Sequence, residues 1–127
     1  MMALPEAYYL ADVRPRWRTP DAAIREAIEH SPLRARGIDY ARIPGPSEES
    51  AIAREAISQV YAILGALDER EEIVIVGRAF RLSYEQIAQA AEEAGIEHLS
   101  ASTAHRIGRQ VWPRVRDRLV ALGLVES

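Results

Sequence analysis

At 127 residues the chain has room for one domain with a real core, or for a small domain and an accessory segment, but not for two full-sized domains. It has no cysteine, which excludes disulfides, thiolate metal sites and a thiol nucleophile, and its three histidines, His30, His98 and His105, are too scattered to make a metal set. The net charge of -3 excludes a coat of positive charge that holds nucleic acid indiscriminately, so any basic face has to be local.

Met1 to Leu10 is mildly apolar and carries Pro5 and Glu6, with neither a basic leader nor a long apolar run. A cytoplasmic location without membrane contact is therefore expected. Arg14-Pro15-Arg16-Trp17-Arg18 suits a surface loop with one buried aromatic better than a basic arm reaching a minor groove. Thr19-Pro20-Asp21 starts a helix, with Thr19 as the cap and Pro20 at its first position. Ala23, Ile24, Ala27 and Ile28 recur at helical spacing, and about three turns should end near Ser31-Pro32. Leu33 to Pro46 shows no clear period and reads as a linker, with the boundary at Pro44-Gly45-Pro46.

Ser47 caps the next helix, with Glu48 and Glu49 in its first turn, where carboxylates complement the helix dipole. Its apolar stripe is Ile52, Ala56, Ile57, Val60, Ile63, Leu64 and Leu67. Asp68 with Glu71 is a capping box that stops and restarts the chain. Ile73-Val74-Ile75-Val76 has the composition of a buried strand, but the acid-rich cap before it and the helical neighbours on both sides favour helix.

Ser83 with Gln86 forms a second capping box, and Ile87, Ala88, Ala91 and Ala94 make the inner face of a helix ended by Gly95. Ala88 is small where another helix should cross closely. Ser100 or Ser102 caps the following helix, whose inner face is Ala104, Ile107 and Val111. Pro113 should kink or interrupt it, after which Val115, Leu119 and Leu122 continue an apolar stripe. The expected fold is all-α. Residues 1–46 form an accessory segment with one helix and a Pro/Gly linker, and residues 47–127 a helical domain with a helix-turn-helix at 83–112.

Charge separates along this domain. Asp68 to Glu97 carries eight acids against three Arg, whereas His98 to Ser127 carries five Arg against two acids. Ser100, Ser102, Thr103, His105, Arg106, Arg109 and Gln110 are the side-chain types that meet phosphates and base edges. Ser83 and Tyr84 would clamp the DNA backbone beside them. Arg116 and Arg118 stand off the face of Arg106 and Arg109 unless Pro113 reorients the helix. The pairs Glu48-Glu49, Glu71-Glu72 and Glu92-Glu93 diverge by about 100° on a helix and do not converge on a substrate, so a non-catalytic protein with no cofactor is expected.

From Leu67 to Leu119 the order of Leu67-Asp68-Glu69-Arg70-Glu71, Ser83-Tyr84-Glu85-Gln86-Ile87-Ala88 and a Ser/Thr-rich helix resembles region four of sigma-70 factors. The upstream helix leading directly into Leu67-Asp68 is similar to small phage regulators of late transcription, of the RinA, ArpU and antitermination Q kind. The resemblance implies a helical domain that reads double-stranded promoter or operator DNA, sometimes docking on RNA polymerase or a sigma factor. Ala88 and Ala104 are sixteen residues apart, more than in a compact helix-turn-helix. A one-turn extension through Ala90 to Ala94 and a longer loop at Glu97-His98-Leu99 would absorb the excess.

The expectation is a sequence-specific DNA-binding regulator of phage type, with a homodimer left open. Its rivals are a small-terminase-like DNA-packaging subunit and a module that binds RNA polymerase or a sigma factor instead of DNA.

Overall fold

Thr19 caps the first helix. Its hydroxyl accepts the Ala22 amide at 3.2 Å and Pro20 takes the first helical position, so α1 runs Pro20–His30, the three turns expected. A computed structural model describes residues 15–30 and 48–127, with side chains for 15–29 and 54–127. The proposed cap at Ser47, the linker at 33–46, Arg14 and the His30 and Ile52 side chains lie outside the described residues. Five helices, and no strand, make up the described residues. After α1 come α2 (Glu48–Gly65), α3 (Glu69–Ala79), α4 (Tyr84–Glu93) and α5 (Ala101–Ala121). No helix among them is long and apolar enough to cross a membrane.

Both expected capping boxes are present. The Asp68 carboxylate accepts the Glu71 amide at 2.8 Å while Glu71 accepts the Asp68 amide at 3.1 Å. Ser83 and Gln86 repeat the exchange at 3.1 and 2.8 Å at the start of α4. Each box satisfies two of the amides that a helix start leaves without partners.

The ends of α3, α4 and α5 follow one pattern. At the end of α4 the Ile96 amide donates to Ala91 and the Gly95 amide to Glu92, with Gly95 at φ 79°. That is a Schellman closure, and glycine takes the left-handed conformation without a Cβ penalty. The end of α3 makes the same pair of bonds, from Leu82 to Gly77 and from Arg81 to Arg78, with Arg81 at φ 62° in the position glycine usually fills.

The main core gathers Ala23, Ile24 and Ala27 of α1, Val60, Tyr61 and Leu64 of α2, Ile75 of α3, and Val111, Val115 and Leu119 of α5. The Tyr61 hydroxyl donates to the Ala27 carbonyl, and Arg25 donates to the Ala79 carbonyl at 2.9 Å, tying α1 to α2 and to the end of α3. Trp17 is buried and its indole donates to Glu26; Arg16 lies 5.6 Å from its ring centroid. The Trp17 amide donates to Leu124 at 3.1 Å in an isolated parallel bridge with Val125. The segment is therefore a loop with one buried aromatic.

A second, smaller core joins Val74 of α3, Ile87 and Ala91 of α4, Leu99 of the turn and Ala104 of α5. The run Ile73-Val74-Ile75-Val76 is helical, and it is apolar throughout because α3 is covered on two sides. Val74 faces the small core and Ile75 the main one. Ile107 touches both.

Three expectations need correction. Pro113 does not interrupt α5, which is helical from Ala101 to Ala121. Proline removes one amide donor, and the burial of Val111, Trp112, Val115 and Leu119 around it holds the helix together. On α4 only Ile87 and Ala91 are buried, while Ala88 is half-buried and Ala94 exposed. The close crossings fall instead on Gly77 and Gly108. A Cβ on Gly77 would stand 2.6 Å from Ile87 Cγ1, and one on Gly108 would stand 3.0 Å from the Tyr84 hydroxyl.

Candidate functional site

α5 is 21 residues long, and its first half has two unlike sides. Ala104 and Gly108 are buried against α3 and α4, and Val111 is buried in the main core. Ser102, His105, Arg106, Arg109 and Gln110 are exposed. Their spacing of three and four residues places all five along one outward stripe. The inner face thus fixes how the stripe is presented to solvent.

Ser100 is the cap of α5, which settles the choice between Ser100 and Ser102. Its Oγ accepts the Thr103 amide at 3.2 Å, donates to Thr103 Oγ1 at 3.0 Å and lies 3.2 Å from Ser102 Oγ. The three hydroxyls form one network over the first turn, which holds no acid to oppose an anion. Ser100→Ala is expected to lower stability by about 1 kcal/mol, whereas Ser102→Ala should leave it nearly unchanged. Urea unfolding of the two variants checks this.

Ser83 and Tyr84 open α4. Ser83 is exposed and engaged in its capping box. Tyr84 is half-buried, its ring edge-on to His105 with centroids 5.0 Å apart and planes at 66°. The buried Gly108 gives the tyrosine hydroxyl its room on the side of α5. The structure thereby joins Tyr84 to His105, a pairing that is not apparent from twenty-one residues of sequence separation.

The unbroken course of α5 also changes the reading of Arg116. Seven residues, two helical turns, separate it from Arg109, so it stands on the same stripe. Both its hydrogen bonds go to Asp117 Oδ1, at 3.2 and 3.1 Å. Arg118 stands on another side, and Arg78 is set apart from the stripe, 4.6 Å from the Trp112 ring centroid. α5 carries five Arg against the single acid Asp117, whereas α4 and the turn expose Glu85, Glu92, Glu93 and Glu97.

Among the described residues, no group of three or more His, Asp or Glu side chains could hold a metal ion. His98 is exposed in the turn, 3.8 Å from Glu97. The site is an exposed polar face, with chemistry suited to binding anions and hydrogen-bonding edges.

Comparison with known proteins finds no family model, no curated protein and no solved structure that matches the chain.

Proposed function

We propose that this protein is a sequence-specific DNA-binding regulator of transcription, of the small phage type, in which α4, its turn and α5 act as a helix-turn-helix. The observation that carries this reading is the exposed stripe of Ser102, His105, Arg106, Arg109 and Gln110 on a helix whose opposite face is buried. A continuous helix presented in this way fits a major groove, which is about 12 Å wide. The α5 N-terminus, with its three hydroxyls, would meet a phosphate. Arg106 would read a guanine edge, and Arg109 and Arg116 would meet backbone phosphates. Tyr84 would position His105 from beneath, while Ser83 stays near the backbone. The chain acts by binding, without a cofactor.

Selection from a random duplex pool tests this. The purified chain should enrich one motif, and log K against log salt should fall with a slope of roughly -3, as expected for about three phosphate contacts. A pool that stays random after several rounds, with equal affinity for all duplexes, would exclude sequence-specific reading.

A second reading is favoured by the exposed carboxylates of Glu85, Glu92, Glu93 and Glu97. They give the α4 side an acidic surface suited to a basic patch on RNA polymerase or a sigma factor. Retention of polymerase by the chain, with no shift of any duplex, would select that alternative.

A further inference from the structure

Tyr84 is the first residue of α4, and the Ser83–Gln86 capping box fixes its backbone. Its side chain spans one turn of α5. The ring meets that of His105 with centroids 5.0 Å apart, and its far end reaches Gly108, where a Cβ would stand 3.0 Å from the hydroxyl and 3.3 Å from Cε1. His105 and Gly108 are three residues apart and so are neighbours on the helix. Gly108 has ordinary helical backbone, a setting in which glycine costs stability relative to alanine. No turn calls for it. The approach of Tyr84 does, since Val74 Cγ1 at 3.5 Å would leave a methyl in ordinary contact.

We propose that Gly108 is a specificity-determining residue that acts without touching DNA: it seats the Tyr84 ring, the ring holds His105 in one rotamer on the exposed stripe, and His105 so held reads a base edge. This deepens the DNA reading and rests on it. An exposed histidine would otherwise sample several staggered rotamers. An aromatic pair in this edge-on geometry favours one of them by roughly two- to tenfold. Hydrogen bonds weaken steeply with misalignment, so a ring nitrogen that meets a base edge gains from being held in place. A Cβ at position 108 would push the tyrosine hydroxyl away and release His105.

Proton–carbon NMR spectra of the imidazoles in the full chain test the arrangement, with the exposed His98 as internal reference. The Tyr84 ring current should set the His105 signals apart from those of His98. Gly108→Ala and Tyr84→Ala should each move them toward His98, whereas Tyr84→Phe, which keeps the ring, should leave them nearly in place. Combining Tyr84→Phe with Gly108→Ala removes the hydroxyl that the new Cβ meets and should bring the signals most of the way back. Circular dichroism should show the helical fold retained in Gly108→Ala, because alanine suits a helix interior and only the far end of one side chain has to move.

On the selected duplex, Gly108→Ala should relax preference roughly two- to tenfold at the base pair that His105→Ala also relaxes, and adding Tyr84→Phe should restore it. His105 signals that Gly108→Ala leaves unmoved overturn the proposal. So does a preference that Gly108→Ala leaves unchanged, or one that Tyr84→Phe fails to restore. A chain that keeps its motif in these last cases leaves the regulator standing without the Gly108 seat. A chain that selects no motif sinks the regulator, and the base contact of His105 with it, even where the ring signals behave as expected.

Discussion

Ile87→Ala is expected to lower the unfolding free energy by about 2–5 kcal/mol, a large part of the ~5–15 kcal/mol typical of a domain. Ile87 is fully buried at the centre of the smaller core, between Val74 of α3 and Ala104 of α5. On its other side it fills the space that Gly77 leaves open. Truncation removes three carbons from a site bounded by three helices, where little can collapse to fill the void. The loss should fall on α4 first, since Ile87 and Ala91 are its only fully buried side chains. Urea unfolding followed by circular dichroism gives the free energy. Amide exchange should show α4 losing protection more than α1. A loss below about 1 kcal/mol would mean that the small core does not hold α4 in place.

The second large effect concerns recognition. Arg106→Ala is expected to cost about 1–3 kcal/mol on the selected duplex and to relax preference at one base pair, since a guanine edge is read by a bidentate arginine. Arg109→Ala should weaken all duplexes alike and reduce the salt slope by about one. Both side chains are exposed on the same stripe, so neither change should disturb folding. The contrast is the informative quantity. If Arg106→Ala lowers affinity for cognate and scrambled duplexes by the same factor, the assignment of Arg106 to a base is wrong. Titration of both variants on both duplexes at two salt concentrations separates the cases.

Local chemistry made much of this fold legible. Thr19, Asp68, Ser83 and Ser100 are caps whose partners lie within three residues, so the sequence shows where α1, α3 and α4 begin and narrows the start of α5 to Ser100 or Ser102. The extra length between Ala88 and Ala104 was resolved the same way: α4 runs on to Glu93, and Gly95 ends it. Ile73 to Val76 was harder to read, because a helix covered on two sides loses the one-sided stripe that marks a surface helix.

What stayed hidden depends on distance in the chain. The crossings at Gly77 and Gly108 need α4 in place beside α3 and α5, and nothing local to either glycine announces them. Arg116 was set apart from Arg109 unless Pro113 reoriented the helix, whereas on the continuous α5 a separation of seven residues, about two turns, already brings the two to one side. The candidate stripe itself was legible, since Ser102, His105, Arg106, Arg109 and Gln110 need only a helix to align. The engagement of Tyr84 with His105 was not, because it depends on how α4 lies against α5.

The bridge between Trp17 and Val125 joins positions 108 residues apart, 125 minus 17. Such a contact is expected to form late in folding, because closing a loop of that length costs chain entropy that other contacts must offset. The Trp17 amide, bound to Leu124, ties the segment before α1 to the segment after α5. Its indole sits beside Glu26, and Trp112 lies in α5, so tyrosine and tryptophan fluorescence together would time the closing of the chain after its helices have formed.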